Sequence, residues 1–359
     1  MRFRIYGDWI ITLCILMLTT FGLFFLYSAS DGNTDTVIKQ LAFIILGFVL
    51  FFLIAQLDPE NFRRLAYVSL AASFLLMLVT ALFGPEINGA QRWIRIAGLS
   101  FQSSELFKIS LPLTIATFLQ FKKLPISMKD TFFCLFIIGI SALTVVIQPD
   151  LGTSLLVALS GLFVLFLAGL SWSFIGVTCG LLIIASPFIW NNLLRPFQKE
   201  RILTLFNPES DPFGSGWNII QSRIAIGSGG ISGKGYGEGS QTHFNFLPET
   251  ETDFIFAVVA EEFGFIGVLI ILSLFLILSL RTLYFALNAR DRFCRLVVGG
   301  LLLTFLFNLL VNISMVIGLI PVVGMPLPFL SKGGSSMITL FILFGIIMSI
   351  GTHKTLMQR

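Results

Sequence analysis

Ten long apolar runs divide this chain, near residues 9–27, 38–57, 65–83, 105–121, 131–147, 151–169, 172–190, 253–280, 296–320 and 334–351. A helix needs about 20 apolar residues to cross the hydrocarbon core of a bilayer, and most of these runs are close to that length. The runs near 105–121 and 131–147 are the shortest and the weakest as spans. Composition removes the soluble alternative: 56% of the 359 residues are hydrophobic and 12% charged, against about 25% charged in a globular domain. The mean hydropathy is +0.93. The expected fold is therefore an all-α integral membrane protein with about ten transmembrane helices in a single polytopic domain, residues 1–359. The first run is longer than the apolar core of a typical signal peptide, so it is read as a span, although Ser28-Ala29-Ser30 faintly resembles a cleavage site.

The Lys/Arg distribution sets orientation. With the N-terminus placed in the cytoplasm, the inside segments hold 13 cations: Arg2, Arg4, Arg63, Arg64, Lys122, Lys123, Lys129, Arg281, Arg290, Arg292, Arg295, Lys354 and Arg359. The short outside loops hold 4: Lys39, Arg92, Arg95 and Lys332. Both termini are thus expected inside, and the long loop between the seventh and eighth spans, residues 191–252, outside. The net charge of +4 comes from basic residues spread among loops, which argues against nucleic acid as a partner. The four cysteines, Cys14, Cys134, Cys179 and Cys294, have no CxxC-type spacing, and His243 and His353 stand far apart. No disulfide frame or metal site is expected from them.

The 191–252 loop is too long for a plain connector. Its first part, RPFQKERILTLFNPESDP, is charged and amphipathic, as expected of a segment lying along the outer interface. Its second part, 227–240, is half glycine. Glycine allows close backbone approach to a ligand, and a flexible linker has the same composition. The phosphate-loop pattern fails, because Gly235 follows Lys234 where Ser or Thr is required.

The loop ends in an acidic cluster whose last member, Asp253, meets the eighth apolar run. A carboxylate at a bilayer rim is costly and by default points to function. It also fits a capping box, with Thr250 as N-cap and Asp253 three residues on. Glu261 lies eight residues further, close to the same helical face, and beside Glu262; two acids inside a span should face protein or a water-filled cavity. Glu105 and Lys108 share a helix face at the start of the fourth span, either as a local ion pair or as a charged cluster facing an interior cavity. Arg92 and Arg95 flank Trp93 in an outside segment. They suit either interfacial anchoring or an anionic head group, and Arg201, Arg223 and Lys234 extend that outside basic set. Asp150, after Gln148 and Pro149, reads as the cap of the sixth span. The segment GLIPVVGMPLPFLSKGGSS, 318–336, is a re-entrant stretch or an outer loop.

These segments together resemble the SEDS family (shape, elongation, division and sporulation proteins). The motifs GAQRWI, FQSSELFKI, QPDLGTSL, LFNPESDPFGSGWNIIQSRIAIGSGG, GKGYGEGSQTHFNFLPETETDFIFAVVAEEFGFIG and PLPFLSKGGSS follow family patterns in family order. IAIGSGGISGKG, FLPETETDFIFAV and NISMVIGLIPVVGMPLPFLS resemble the elongation branch more than the division branch. The resemblance implies a ten-span peptidoglycan glycosyltransferase that polymerises lipid II and works with a class B penicillin-binding protein. It also implies that Asp253 is the essential aspartate and that Glu105 and Lys108 are the charged pair of the fourth span. The chain departs from the family at Ser103, usually proline, at Phe107, usually a small residue, and at Lys332, usually tyrosine.

The chemistry fits those residues. A β-linked product from an α-linked lipid diphosphate requires inversion, and an inverting transfer needs a base opposite the leaving group. Asp253 is the expected base for the acceptor hydroxyl. The leaving diphosphate needs positive charge, for which Arg92, Arg95, Arg223, Lys108 and Lys234 are the candidates, or a divalent metal, Mg or Mn, shared with the substrate phosphates. The expected partners are lipid II, the nascent glycan strand, membrane lipids and the penicillin-binding protein, at the bacterial plasma membrane with the site facing outside. Two rival readings are a lipid II flippase and a non-catalytic scaffold that activates a cell-wall synthase.

Overall fold

The computed structural model describes residues 7–86, 91–96, 99–123, 126–194, 196–207, 215–243, 246 and 249–353. Four of the inside cations, Arg2, Arg4, Lys354 and Arg359, lie outside these residues. All ten apolar runs are helical: α1 (Trp9–Ala29), α2 (Thr34–Ala55), α3 (Pro59–Phe83), α4 (Phe107–Leu119), α5 (Met128–Ile147), α6 (Leu151–Leu167), α7 (Trp172–Phe188), α11 (Ile255–Leu287), α12 (Arg292–Val316) and α13 (Gly334–Thr352). Their starts are written in the sequence. Asp8, Asn33, Asp58, Ser127, Asp150, Ser171 and Asp291 each accept a backbone N–H of the first turn, as polar N-caps do.

Eight described helices are long and apolar enough to cross a membrane. Helix α5, expected to be short, has 20 residues and is one of them. The exceptions are α6, with 17 residues, and α4, with 13; α7 reaches span length with the π-helical turn that follows it, through Asn192. Helix α4 is too short to face lipid along a whole bilayer. It does not have to, because nearly every one of its side chains is buried, among α3, α6 and α12. Helices α12 and α13 form the centre with it; α2 lies against α13, where Gly47 meets the Phe341 ring. Helix α7 stands away from the bundle, with none of its described side chains buried.

The connections separate into two ends. At one end Arg281 pairs with Asp8 at 2.5 Å, Arg63 with Asp291 at 3.0 Å and Lys122 with Asp130 at 2.7 Å. At the other end lie a hairpin of β1 (Trp93–Ile96) and β2 (Leu99–Gln102), which the sequence reading did not foresee, and the segment between α7 and α11. That segment is itself helical over α8 (Pro196–Phe206), α9 (Ser215–Gly229) and α10 (Ser240–His243).

The glycine-rich stretch is not a free linker, since it is spliced into α11. That helix breaks at Gly264, whose φ of 63° and ψ of −157° are non-helical. The break frees the carbonyls of Glu261 and Glu262 and the N–H groups of Phe265 and Ile266. Lys234 N and Gly235 N donate to the two carbonyls, both at 3.0 Å, while Phe265 N and Ile266 N donate to Gly230 O and Ile231 O at 2.9 and 3.1 Å. The exchange pairs these four backbone groups where the membrane would punish bare ones. A Cβ on Gly264 would lie 2.4 Å from Gly233 N, in a backbone region that is essentially glycine-only. Gly264→Ala should therefore lower the thermal transition of the detergent-solubilised protein, by the equivalent of about 1–3 kcal/mol from the backbone alone. An unchanged transition would mean that the splice is not held as described.

Candidate active site

Asp253 does not start a helix. It lies in the turn 249–254, and α11 begins at Ile255 with Phe254 as cap and no side-chain capping bond. The capping box is thus absent, because Thr250 turns away and donates its hydroxyl to Ala29 O at 3.2 Å. What holds the turn is the segment between α12 and α13. Asn312 Nδ2 donates to Asp253 O at 3.0 Å and to Met325 O at 2.7 Å. Ser331 Oγ donates to Thr252 O, Lys332 N donates to Glu251 O at 2.8 Å, and the Lys332 ammonium pairs with the Glu251 carboxylate.

The Asp253 carboxylate lies over Gly324, with Oδ2 3.6 Å from where a Cβ would stand. No described residue donates a hydrogen bond to its oxygens. Burial pushes its pKa up to about 6, the Glu249 carboxylate adds to that, and Arg201 of α8 opposes it. Arg201 is held in place by donating to Val322 O at 3.0 Å.

The 318–336 segment is re-entrant: Leu327, Phe329, Leu330 and Ser331 are buried. Phe329 has a φ of 62°, uncommon for a bulky residue, and its ring is fixed against Phe305, Phe341 and Phe344. From α2, Gln40 donates to Ser331 O at 3.3 Å and accepts from Gly333 N at 3.2 Å.

On the inner side of this segment Pro326, Leu327, Pro328, Phe329 and Ser331 line a cleft together with Glu105, Lys108, Asn308 and Ser336. Glu105 comes from the 3-10 turn Ser103–Leu106 and Lys108 from the first turn of α4. The Lys108 ammonium is 2.6 Å from Glu105 Oε1, while Glu105 Oε2 is buried and accepts no hydrogen bond from the described residues. The pair is thus both a local ion pair and part of a cavity wall, as one of its two sequence readings required.

The outside cations are distributed differently from the expectation. Arg92 donates to Gln148 O at 2.9 Å and to Pro149 O at 2.6 Å, and lies 3.8 Å from Asp150. Asp150 in turn caps α6 through Thr153 N at 3.1 Å. Arg223 donates to Ile317 O at 3.2 Å and Gly318 O at 2.8 Å, closing the C-terminus of α12. Lys234 pairs with Glu261 at 2.6 Å and bonds Ser240 Oγ at 2.8 Å. These three hold backbone turns and a buried acid instead of offering free charge to an anion. Arg95, exposed like Arg223 and Lys234, is the member of the four with no side-chain partner among the described residues.

Glu261 is not on the Asp253 site. It is fully buried and accepts also from Gln241 N at 3.0 Å and Thr242 Oγ1 at 3.1 Å. Glu262 accepts from Ser28 Oγ and from Gly237 N at 3.3 Å. Both acids face protein, as their cost in a span demands.

It follows that Arg92→Lys and Arg223→Lys should lower thermal stability and leave the substrate concentration for half-maximal rate unchanged. Arg95→Ala should raise that concentration, by about tenfold if it removes one charged hydrogen bond. A substrate titration of the three variants decides, and the opposite pattern would return the diphosphate to Arg92 or Arg223.

Sequence reasoning missed Asn312. Its signal was a second polar residue one turn after Asn308 inside the apolar run 296–320. Among the described residues no group of three or more His, Cys, Asp or Glu side chains forms a metal cage. The family departures fit their places: Ser103 Oγ donates to Met77 Sδ at 3.0 Å, the Phe107 ring meets Phe74 at 5.0 Å, and Lys332 pairs with Glu251.

Fold and site together define a multi-pass, all-α membrane protein with a partly buried rim acid beside a charged cleft. The model of the FtsW/RodA/SpoVE family of cell cycle proteins matches residues 8–356, and the chain belongs to this family. It is 44% identical to the peptidoglycan glycosyltransferase MrdB of Escherichia coli K12, over 99% of this chain and 96% of that one. It is 31% identical to the peptidoglycan glycosyltransferase RodA of Treponema pallidum, over 97% and 98%. Among solved structures, a chain described under the structural coordination of polymerization and crosslinking by a peptidoglycan synthase complex superposes with a TM-score of 0.86 at 30% identity, covering 98% of this chain and all of that one. Rod shape determining protein RodA of Thermus thermophilus gives 0.74 at 27% identity, with 97% and 98% covered.

Proposed function

We infer that this chain is a peptidoglycan glycosyltransferase of the elongation type, polymerising lipid II by inverting transfer with Asp253 as general base. The observation that carries this reading is the state of Asp253. It is a partly buried carboxylate with a raised pKa, fixed through its backbone, with no hydrogen bond to its oxygens from the described residues. Such a group holds its proton acceptor ready near neutral pH. In the transfer, the acceptor 4-hydroxyl gives its proton to Asp253 and attacks the anomeric carbon, and the lipid diphosphate departs from the opposite face. Arg95, with no side-chain partner among the described residues, is the first candidate cation for the diphosphate; Arg201 and Lys108 follow, each with one partner already. The Lys/Arg bias supports a site on the outer face of the bacterial plasma membrane. The synthase-complex relative supports a class B penicillin-binding protein as the partner that cross-links the product.

The flippase reading loses ground because the span acids Glu261 and Glu262 are buried and take their hydrogen bonds from Ser28 and residues 234–242. Purified protein given labelled lipid II separates the readings. Glycan chains are expected; transfer between leaflets without chains would establish a flippase, and neither product would leave a scaffold.

A further inference from the structure

We propose that Asn312 is a positioning residue for the reaction, fixing the Asp253 carboxylate relative to the re-entrant segment through one amide group. The proposal rests on Asp253 being the base. Asn312 is fully buried in α12, at the centre of the bundle. Both its donor hydrogens go to backbone carbonyls, Asp253 O at 3.0 Å and Met325 O at 2.7 Å. The two carbonyls belong to segments 72 residues apart in sequence, and Gly324, which underlies the carboxylate, immediately precedes Met325. One side chain therefore sets the distance between the acid and the surface it faces.

The acceptor side of the same amide shows what this arrangement sacrifices. Asn312 Oδ1 is buried and has no hydrogen-bond partner among the described residues. A buried bare acceptor is unfavourable and rare. An apolar residue of similar size would relieve that oxygen but take this donor from the carbonyls of Asp253 and Met325. The amide thus ties two segments of the site together at the expense of its own oxygen. The other ties on the turn, Thr250 to Ala29, Ser331 to Thr252 and Lys332 to Glu251, hold residues before Asp253; among the described residues Asn312 is the side chain that grips Asp253 itself.

The test is lipid II polymerisation by the full chain carrying Asn312→Leu, which keeps the volume and cannot donate. Rate, substrate dependence and pH profile are read beside wild type and Asp253→Asn. A loosened turn displaces the base by a fraction of an ångström or more, so turnover should fall about tenfold or more, with the lipid II concentration for half-maximal rate within about twofold of wild type. The acid limb should also move to lower pH. Burial is what raises Asp253, Glu249 adds to it and Arg201 opposes it, and a freed turn takes up water. A merely structural role changes the amount of active protein and leaves the limb in place. Asn312→Ser, which retains one donor hydrogen, should lie between wild type and Asn312→Leu, and it is the variant to read if Asn312→Leu does not extract as a monodisperse protein. Wild-type turnover and limb in a folded variant would overturn the proposal, as would the failure of both variants to fold. If Asp253→Asn proves active, the base assignment itself has failed, an outcome separate from either.

Discussion

Asp253→Asn is expected to abolish glycan polymerisation while the protein remains folded and slightly more resistant to heat at neutral pH. Asparagine matches the shape of the side chain but accepts no proton as a base. Loss of a general base alone is worth about a hundredfold to ten-thousandfold. The stability half follows from linkage. Burial raises the folded pKa of Asp253 to about 6, above its ordinary value. The folded state therefore binds this proton more tightly than the unfolded chain. The site's contribution to stability falls as pH rises through that window. Neutral asparagine removes the penalty, a trade of stability for activity common at working sites. The measurements are chain formation from labelled lipid II and a thermal scan. Near-normal chains would remove the base role, and a marked loss of stability would make the acid structural.

The second large effect is expected in the cleft. Neutralising either member of the Glu105–Lys108 pair, by Glu105→Gln or Lys108→Met, should reduce polymerisation severely. Both groups are mostly withdrawn from water, with side-chain exposures of 6% and 12%. Removing one partner leaves the other charge uncompensated, a defect of about 3–5 kcal/mol in buried pairs. The exchange of Glu105→Lys with Lys108→Glu should restore folding and leave activity low. Glu105 Oε2 already lacks a partner among the described residues, so the pair offers this cleft more than mutual neutralisation. Full activity in the exchanged double variant would show that the pair is only structural. Both variants should be assayed at saturating lipid II, to separate turnover from binding.

The spans were legible because lipid allows so few ways of hiding a backbone. Each apolar run became a helix, and seven polar caps marked their starts. The lengths were less legible. Helix α4 is short because it is enclosed by other helices, and enclosure is a tertiary property. The hairpin at Trp93–Gln102 escaped notice because four-residue strands leave little periodicity. The glycine stretch misled for a different reason. Glycine announces a close approach of backbone but not to what, and here the neighbour is the broken helix at Gly264.

At the site, residue types were easier to read than commitments. Asp253, Glu105 and Lys108 stand where a rim acid and a cavity pair were expected. Arg92 and Arg223 carry the right charge for a diphosphate, yet their donors are taken by carbonyls at helix ends. No local pattern distinguishes a guanidinium that meets a phosphate from one that closes a helix, since both serve oxygen acceptors in the same geometry. Asn312 acts only through the fold, since its two partners are distant in sequence.

The most direct test of the central claim is the pH dependence of polymerisation by the wild-type chain at saturating lipid II. If Asp253 is the base, the rate should rise with pH through a single ionisation near 6, because only the ionised carboxylate accepts the acceptor's proton. A rate that is level from about pH 5 to pH 8, or that rises only near the ordinary carboxylate value of about 4, would contradict the assignment.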